Sequence, residues 1–472
     1  MSDERIAILL KSRAWQISAV VLSVLLVAGF HWQSDGLWFQ GDAPRHATSG
    51  LFWMDLLRAM PRDPMEYALR YYARYPVINP LTYPPLVYII EGIGFAVFGP
   101  SPQVAKCIVL LFALMAGLYT MSWARRWLSP GAGWAGAFLA FLPTIVIWSN
   151  SIMLNVPAAA FGIAFLYHGR RWMETMHARQ LALTLLFLTA VLLTYFQGAV
   201  VVFVLVAWAI LRNRHSLRGK GALWIVAGAL VAVLPLAAAL VIAPVQTSRH
   251  LPNLTRLKHL GPWLYYWFRI HRLVSMPIFW LGVAGCVTAL TSRRWRAEGT
   301  YIVIWISVIV MTFTMLPAKD TRYVMAVAPA FILAVAIGLL ALADITRPLR
   351  PRMQAVGLTT CFALGVWSQA RVHVDQVSGF REIAAYLKTN GPTDAVLYDG
   401  EHGGLFGFSV RVQDPQFKRR VALGEKLLYS YGPTTSFEWV QTSNVATTED
   451  VVNLLRRSGC RWVAVELGVD MR

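Results

Sequence analysis

Gly41-Asp42-Ala43-Pro44-Arg45-His46 stands just after the first apolar run of the chain, Ala14 to Trp32, and heads a long loop rich in Trp, Tyr and Arg. Around it lie Arg58, Arg70 and Arg74 and the segment Asn79-Pro80-Leu81-Thr82-Tyr83-Pro84-Pro85, with little else nearby that does chemistry. A carboxylate beside several cations at a membrane surface suits a reaction between a hydroxyl acceptor and an anionic, lipid-bound donor, because the acid takes a proton while the cations hold the anion.

The rest of the chain supplies the membrane. It has 472 residues, 57% of them hydrophobic and 14% charged, with a mean hydropathy of +0.51. Many apolar runs reach the roughly 17 to 25 residues that cross a bilayer core as a helix. The composition therefore reads as a polytopic α-helical membrane protein. A net charge of +19 is explained by basic clusters between the runs, the bias expected of cytoplasmic loops, and needs no nucleic acid. Cys107, Cys286 and Cys361 fall in apolar runs and only Cys460 in a soluble one, so no disulfide within the soluble part and no zinc spacing is available.

Lys11 and Arg13 precede the first run, which is too long for a signal peptide and has no convincing small-x-small cleavage site, so it reads as a retained helix with its amino end in the cytoplasm. The loop from Gln33 to about Gln103 is then extracytoplasmic. Within it Pro84 to Gly99 reads as a surface helix rather than a span. About eleven spans follow from the run pattern if that stretch is excluded, and with that parity Arg125-Arg126, Arg170-Arg171, Arg212 to Lys220, Arg293 to Arg296 and Arg347 to Arg352 all fall in the cytoplasm. The expected organisation is a transmembrane domain over 1–370, with its first outer loop at 33–103, and a soluble extracytoplasmic α/β domain over 371–472. In the latter, Phe380 to Lys388 reads as a helix, and Ala395 to Tyr398, Phe406 to Val412 and Trp462 to Leu467 as strands. Thr447 and Asp450 read as a capping box. Asp399-Gly400-Glu401 reads as a strand-end turn, since no nucleotide-binding glycine loop accompanies it.

Two outer loops break the charge rule. The first carries Arg45, Arg58, Arg62, Arg70 and Arg74; the second carries Arg249, Arg256, Lys258, Arg269 and Arg272 beside Trp263, Tyr265, Tyr266 and Trp267. Both suit either headgroup anchoring within an aromatic belt or a phosphate site, which arginine matches with a bidentate fork.

Several motifs occur in order. They are Asp42 after the first span, Tyr83-Pro84-Pro85-Leu86-Val87-Tyr88 leading to Phe98-Gly99-Pro100-Ser101, Asn155-Val156-Pro157, and Lys319-Asp320-Thr321-Arg322-Tyr323-Val324 before Ala328-Pro329-Ala330. Together they resemble the protein O-mannosyltransferase family and the bacterial aminoarabinose transferases acting on lipid A, over about residues 10 to 345. The resemblance implies the C-type glycosyltransferase (GT-C) fold and a sugar donor on a polyprenyl phosphate. It also implies a glycan, lipid or protein acceptor outside the membrane, with membrane lipids as surroundings. By motif position it makes Asp42 the base that activates the acceptor. Arg45, Arg58, Lys319, Arg322 and Tyr323 become candidates for the donor phosphate, and His46, Tyr83 and Asn155 candidates for substrate contacts. Many family members carry an acid where Asn155 stands, which leaves a divalent metal (Mg or Mn) open as a cofactor. A lipid-linked saccharide ligase or polymerase is the neighbouring alternative. A transporter is the alternative from another class, disfavoured because the spans hold almost no ionisable residues away from their ends and no repeat is evident.

Overall fold

The computed structural model describes residues 3–30, 32, 42–78, 83–212, 260–316, 319–345, 350–369, 372, 377–391, 393–433 and 439–466. Gly41, Asn79 to Thr82, the expected span Gly221 to Ala243, and Arg249, Arg256 and Lys258 lie outside the described residues. In chain order the helices begin with α1 (Asp3–Lys11), α2 (Arg13–Phe30), α3 (Asp42–Ala59), α4 (Pro64–Arg74), α5 (Leu86–Phe98) and α6 (Pro102–Trp127). There follow α7 (Ala135–Ala140), α8 (Pro143–Asn150), α9 (Asn155–Thr175), α10 (Ala178–Leu192), α11 (Val200–Arg212), α12 (Leu260–Arg269) and α13 (His271–Val274). Then come α14 (Met276–Thr291), α15 (Arg296–Met315), α16 (Ala328–Ile345) and α17 (Arg350–Gln369). The carboxyl-terminal elements are α18 (Phe380–Asn390), β1 (Ala395–Asp399), α19 (Gly403–Gln413), β2 (Val421–Leu423), α20 (Gly424–Leu427), β3 (Tyr429–Pro433), β4 (Trp439–Ser443), α21 (Thr448–Arg457) and β5 (Cys460–Val465).

These helices make an integral membrane protein. Among the described residues, Arg13–Phe30, Pro102–Trp127, Arg296–Met315 and Thr321–Asp344 are each long and apolar enough to cross a bilayer, and two bent pairs raise the number to 6. Several of the expected runs are not straight spans of that length. The run Gly131 to Trp148 is broken, its halves bent by 51° where Pro143 opens α8. The pair Trp263–Val274 and Met276–Thr291 turns by 111° at Ser275, whose φ is +71°. α10 and α11 are short, at 15 and 13 residues.

The chain resolves into two compact units. One comprises 1–32, 81–87 and 109–374, the other 33–80, 88–108 and 375–472. In the first, α14 crosses α16 with backbones nearly touching: a Cβ on Gly285 would come within 2.0 Å of the Ala334 carbonyl oxygen. Small residues at such crossings let dispersion substitute for the hydrophobic effect that lipid abolishes. The same unit holds a buried ion pair. Arg170 donates two bonds of 2.6 Å to the Glu298 carboxylate, and its guanidinium lies 4.3 Å from the Trp127 ring centroid and 5.0 Å from that of Tyr301. Both oxygens and two aromatic faces serve one cation, the geometry a desolvated charge requires.

In the second unit the stretch expected as loop forms two helices. α3 buries residues on nearly every side, among them Leu51, Phe52 and Met54, so its sequence shows no clean apolar stripe. It crosses α5 at Gly50 and Gly92, where a Cβ on Gly92 would come within 2.8 Å of the Met54 amide nitrogen. α5 has 13 residues, about 20 Å, too short for a span. Glu91 on α5 faces Gly50, is 1% exposed and makes no hydrogen bond among the described residues; burial pushes its carboxyl well above the usual range.

The other side of α3 meets α19. Phe406 to Val412, expected as a strand from its alternation, is part of this helix. Packing against both α3 and α18 buries Leu405, Phe406, Phe408, Val410 and Arg411, so apolar residues fill all its faces and the helical period disappears. Arg411 donates to Asp55 at 2.6 Å, Tyr71 donates to the same carboxylate at 3.0 Å, and the guanidinium covers the Phe417 ring at 4.1 Å. Tyr75 donates to Asp414 at 2.6 Å. Beyond α19, β2, β1 and β5 form a three-stranded parallel sheet in that order, and β3 pairs with β4 antiparallel. The helix at Phe380 stops at Asn390, and the Thr447–Asp450 capping box forms.

Removing one partner of the Asp55–Arg411 pair leaves a charge stranded in an apolar seam. Arg411→Leu is expected to cost about 3 to 5 kcal/mol of unfolding free energy. The double variant Asp55→Leu/Arg411→Leu should lose less than the single one, because it also removes the desolvation penalty. Thermal unfolding of the detergent-purified protein reads both, and a double variant less stable than Arg411→Leu would refute the pairing.

Candidate functional site

Asp42 is the first residue of α3 and is half-buried. A carboxylate suits this position because it meets the positive end of the helix dipole, and Pro44 fits the first turn, where amide hydrogens have no helical partner. Ala43, Pro44 and Ala47 are buried beneath it. Arg45 reaches Glu425 at 3.3 Å, with both side chains about a third exposed. His46 is 3% exposed, and its Nδ1 lies 2.7 Å from the Tyr88 hydroxyl, with the two rings stacked. Arg58 is carried to the far end of α3, 16 residues from Asp42 or about 24 Å along the axis. Arg70 lies 3.5 Å from Glu66 on α4, an exposed pair one turn apart. Of the arginines expected around Asp42, α3 therefore keeps Arg45 close and carries Arg58 away.

The membrane unit holds the other candidates. Asn155 opens α9, is 7% exposed, and donates from Nδ2 to the Arg322 carbonyl at 3.3 Å. Arg322 belongs to the 3-10 turn Thr321–Val327. Asp320 caps this turn, accepting the Arg322 amide at 2.9 Å and lying 3.2 Å from its Nε. The guanidinium sits 5.5 Å from the Trp148 ring centroid. Tyr323 stacks on Phe313 with centroids 6.1 Å apart. Asn155, Tyr195, Gln197, Arg322 and Tyr323 line a small cavity of about 20 Å³, room for roughly one water. Tyr83 stacks on Tyr195, which donates to Gln197 Oε1 at 2.8 Å.

Lys319, a phosphate candidate by motif position, has backbone partners. Its ammonium donates to the Phe313 carbonyl at 2.9 Å and to that of Thr314, closing the carboxyl end of α15. A cation there satisfies carbonyls without helical partners and meets the negative end of the dipole.

Gln197 and Tyr195 are not among the residues singled out by the sequence; they lie at a 3-10 turn, Phe196–Ala199, with Tyr195 as its first flanking residue. The available signal was an amide placed between two apolar runs. Among the described residues no three His, Cys, Asp or Glu come together to hold a metal. The side chains around Arg322 are amide, phenol, indole and the Asp320 carboxylate that pairs with its guanidinium.

The sequence matches no protein-family model and no curated protein. The structure does find relatives. ArnT from Cupriavidus metallidurans, solved with undecaprenyl phosphate bound, superposes with a TM-score of 0.59 over 96% of this chain and 90% of its own, at 15% identity. The oligosaccharyltransferase of Archaeoglobus fulgidus in its apo form gives a TM-score of 0.61 over 96% of this chain and 69% of its own, at 12% identity. The archaeal oligosaccharyltransferase AglB in complex with an inhibitory peptide and a dolichol-phosphate gives 0.56 over 92% and 75%, at 11% identity. The chain has the GT-C fold.

Lys319→Met tests the capping. It is expected to cost about 1 to 3 kcal/mol of stability through the carbonyls it leaves without a donor. Thermal unfolding of the purified protein reads this, and unchanged stability would refute the cap.

Proposed function

We propose that this protein is an integral-membrane inverting glycosyltransferase that moves a sugar from a polyprenyl (undecaprenyl-type) phosphate to an acceptor on the outer face of the membrane. The observation that carries the reading is Asp42, an acid at the head of a buried helix in a chain whose fold is shared by proteins solved with undecaprenyl phosphate and dolichol-phosphate. The positive-inside pattern places the amino terminus in the cytoplasm and the carboxyl-terminal α/β region outside. A bacterial inner membrane fits the polyprenyl chemistry.

The acceptor hydroxyl oxygen attacks the anomeric carbon from the face opposite the phosphate. A new glycosidic bond forms, the bond from that carbon to the phosphate oxygen breaks, and polyprenyl phosphate leaves with the electron pair. Asp42 takes the hydroxyl proton as attack proceeds. Arg322, desolvated on one side by Trp148 and steered by Asp320, stabilises the phosphate as its charge grows, and Tyr323 stands beside it. Arg45 is a second cation for the donor only when it is released from Glu425. Asn155 contributes by fixing the Arg322 backbone.

An oligosaccharide-transferring ligase is the second reading, because two of the similar structures are oligosaccharyltransferases. The donor decides between them: one phosphate and a single sugar for the transferase, a longer lipid-linked glycan for the ligase.

Membranes containing the protein are to be assayed against a panel of polyprenyl-phosphate sugars. Asp42→Asn is expected to lower turnover by about 100- to 10,000-fold with expression and donor binding kept. Wild-type turnover in that variant would remove the acid from the mechanism. Arg322→Gln should raise the donor KM and lower kcat together, by about 100-fold in kcat/KM, since a charge-stabilising donor is lost. An effect confined to the acceptor KM would place the arginine elsewhere.

A further inference from the structure

His46, at 3% exposed, is a poor direct ligand for a sugar. Its neighbours give it a different role. Asp42 and His46 stand four residues apart on α3, and residues so spaced lie one above the other with Cβ atoms about 5 to 6 Å apart. Helical side chains lean toward the amino end of their helix, which directs the imidazole over the turn that carries Asp42. From the opposite side, Tyr88 on α5 engages Nδ1 at 2.7 Å with its ring stacked on the imidazole, and is itself 1% exposed. The Gly50–Gly92 crossing one turn further on brings α3 and α5 together closely enough for that contact.

We propose that His46 is a positioning residue for Asp42: Tyr88 donates its hydroxyl proton to Nδ1, which puts the ring proton on Nε2, and Nε2–H donates to one oxygen of the Asp42 carboxylate. The second oxygen then points to the acceptor in a fixed orientation. Which nitrogen of a histidine carries the proton is set by the partner of the other nitrogen, and here that partner is a phenol locked between two helices. The arrangement accounts for three features together: the burial of His46, the buried tyrosine opposite it, and the half-exposed acid one turn away. A histidine that merely fills space needs none of these.

This inference rests on Asp42 being the base, and two readouts separate its failure from that of the parent reading. The first needs no turnover. In full-length protein labelled with 15N-histidine, with the His46 signals assigned by their loss in His46→Gln, Nδ1 is expected as the unprotonated acceptor and Nε2 as the protonated nitrogen. Asp42→Asn should move the Nε2 signal, and Tyr88→Phe the Nδ1 signal. A proton on Nδ1, or an Nε2 signal indifferent to Asp42→Asn, overturns the proposal whatever the enzyme does.

The second readout is the division between kcat and KM, using the polyprenyl-phosphate sugar that the panel identifies. His46→Leu is expected to lower kcat by about 10- to 100-fold, the usual cost of losing a group that orients a reactive one, with the donor KM within about twofold. His46→Gln, whose amide reaches the place of Nε2, should recover part of that loss, whereas His46→Asn, whose amide reaches only the place of Nδ1, should not. Tyr88→Phe should lower kcat in the same sense by a smaller factor. Equal activity of the Leu and Gln variants would make the residue a packing element and sink the proposal. Loss of turnover in Asp42→Asn with no effect in any His46 variant removes this inference alone; full turnover in Asp42→Asn removes the base.

Discussion

The closeness of α3 to its neighbours is the constraint on which the outer unit depends. α3 carries Asp42 and His46 in its first turns and Asp55 near its end, and it is buried on nearly all sides. Two glycines, Gly50 and Gly92, let α3 and α5 approach until backbone meets backbone. α19 closes the other side with Arg411 on Asp55. A helix held from two directions cannot turn about its axis, so the direction of its first carboxylate is fixed by packing further along the helix. Orientation to within a fraction of an ångström is what a positioned base requires.

The membrane unit solves a related problem by other means. The peptide around Arg322 is irregular, and its groups are satisfied locally: Asp320 caps the turn, Asn155 binds its carbonyl, and Lys319 closes the preceding helix. Irregular backbone between apolar helices survives only where such partners are supplied from within the protein. Two of the polar residues that the motifs offer as ligands, Asn155 and Lys319, thus spend part of their hydrogen bonding on the backbone on either side of the arginine.

Much of this was legible in the sequence. The apolar runs and basic loops gave the membrane class, and the family resemblance carried by the motifs at Asp42, Tyr83, Asn155 and Arg322 implied the fold, which the superposition on ArnT then showed. What escaped did so for definite reasons. α3 hid because a helix buried all round shows no polar face, although Leu51-Phe52-Trp53-Met54 and Leu56-Leu57 were apolar enough to signal burial. α19 hid because its alternation imitated a strand until α3 and α18 covered it. Arg58 looked near Asp42 because a loop was assumed, and a helix of 18 residues sends the two to opposite ends. Nor does the pairing of Asp55 with Arg411, 356 residues apart, follow from any local pattern.

The aromatic box around Arg170 bears on how the chain is made. Trp123 and Trp127 precede the arginine, whereas Trp208, Tyr301 and the carboxylate of Glu298 follow it, the last by 128 residues. At ribosomal speeds that interval amounts to roughly ten seconds. During it α9 has its cation, two indole faces and its own Glu174, whose carboxylate lies 3.3 Å from Arg170 Nε one turn on. The tryptophans and Glu174 are therefore a provisional shelter, and the two-bonded carboxylate of Glu298 and the Tyr301 face come only when α15 arrives.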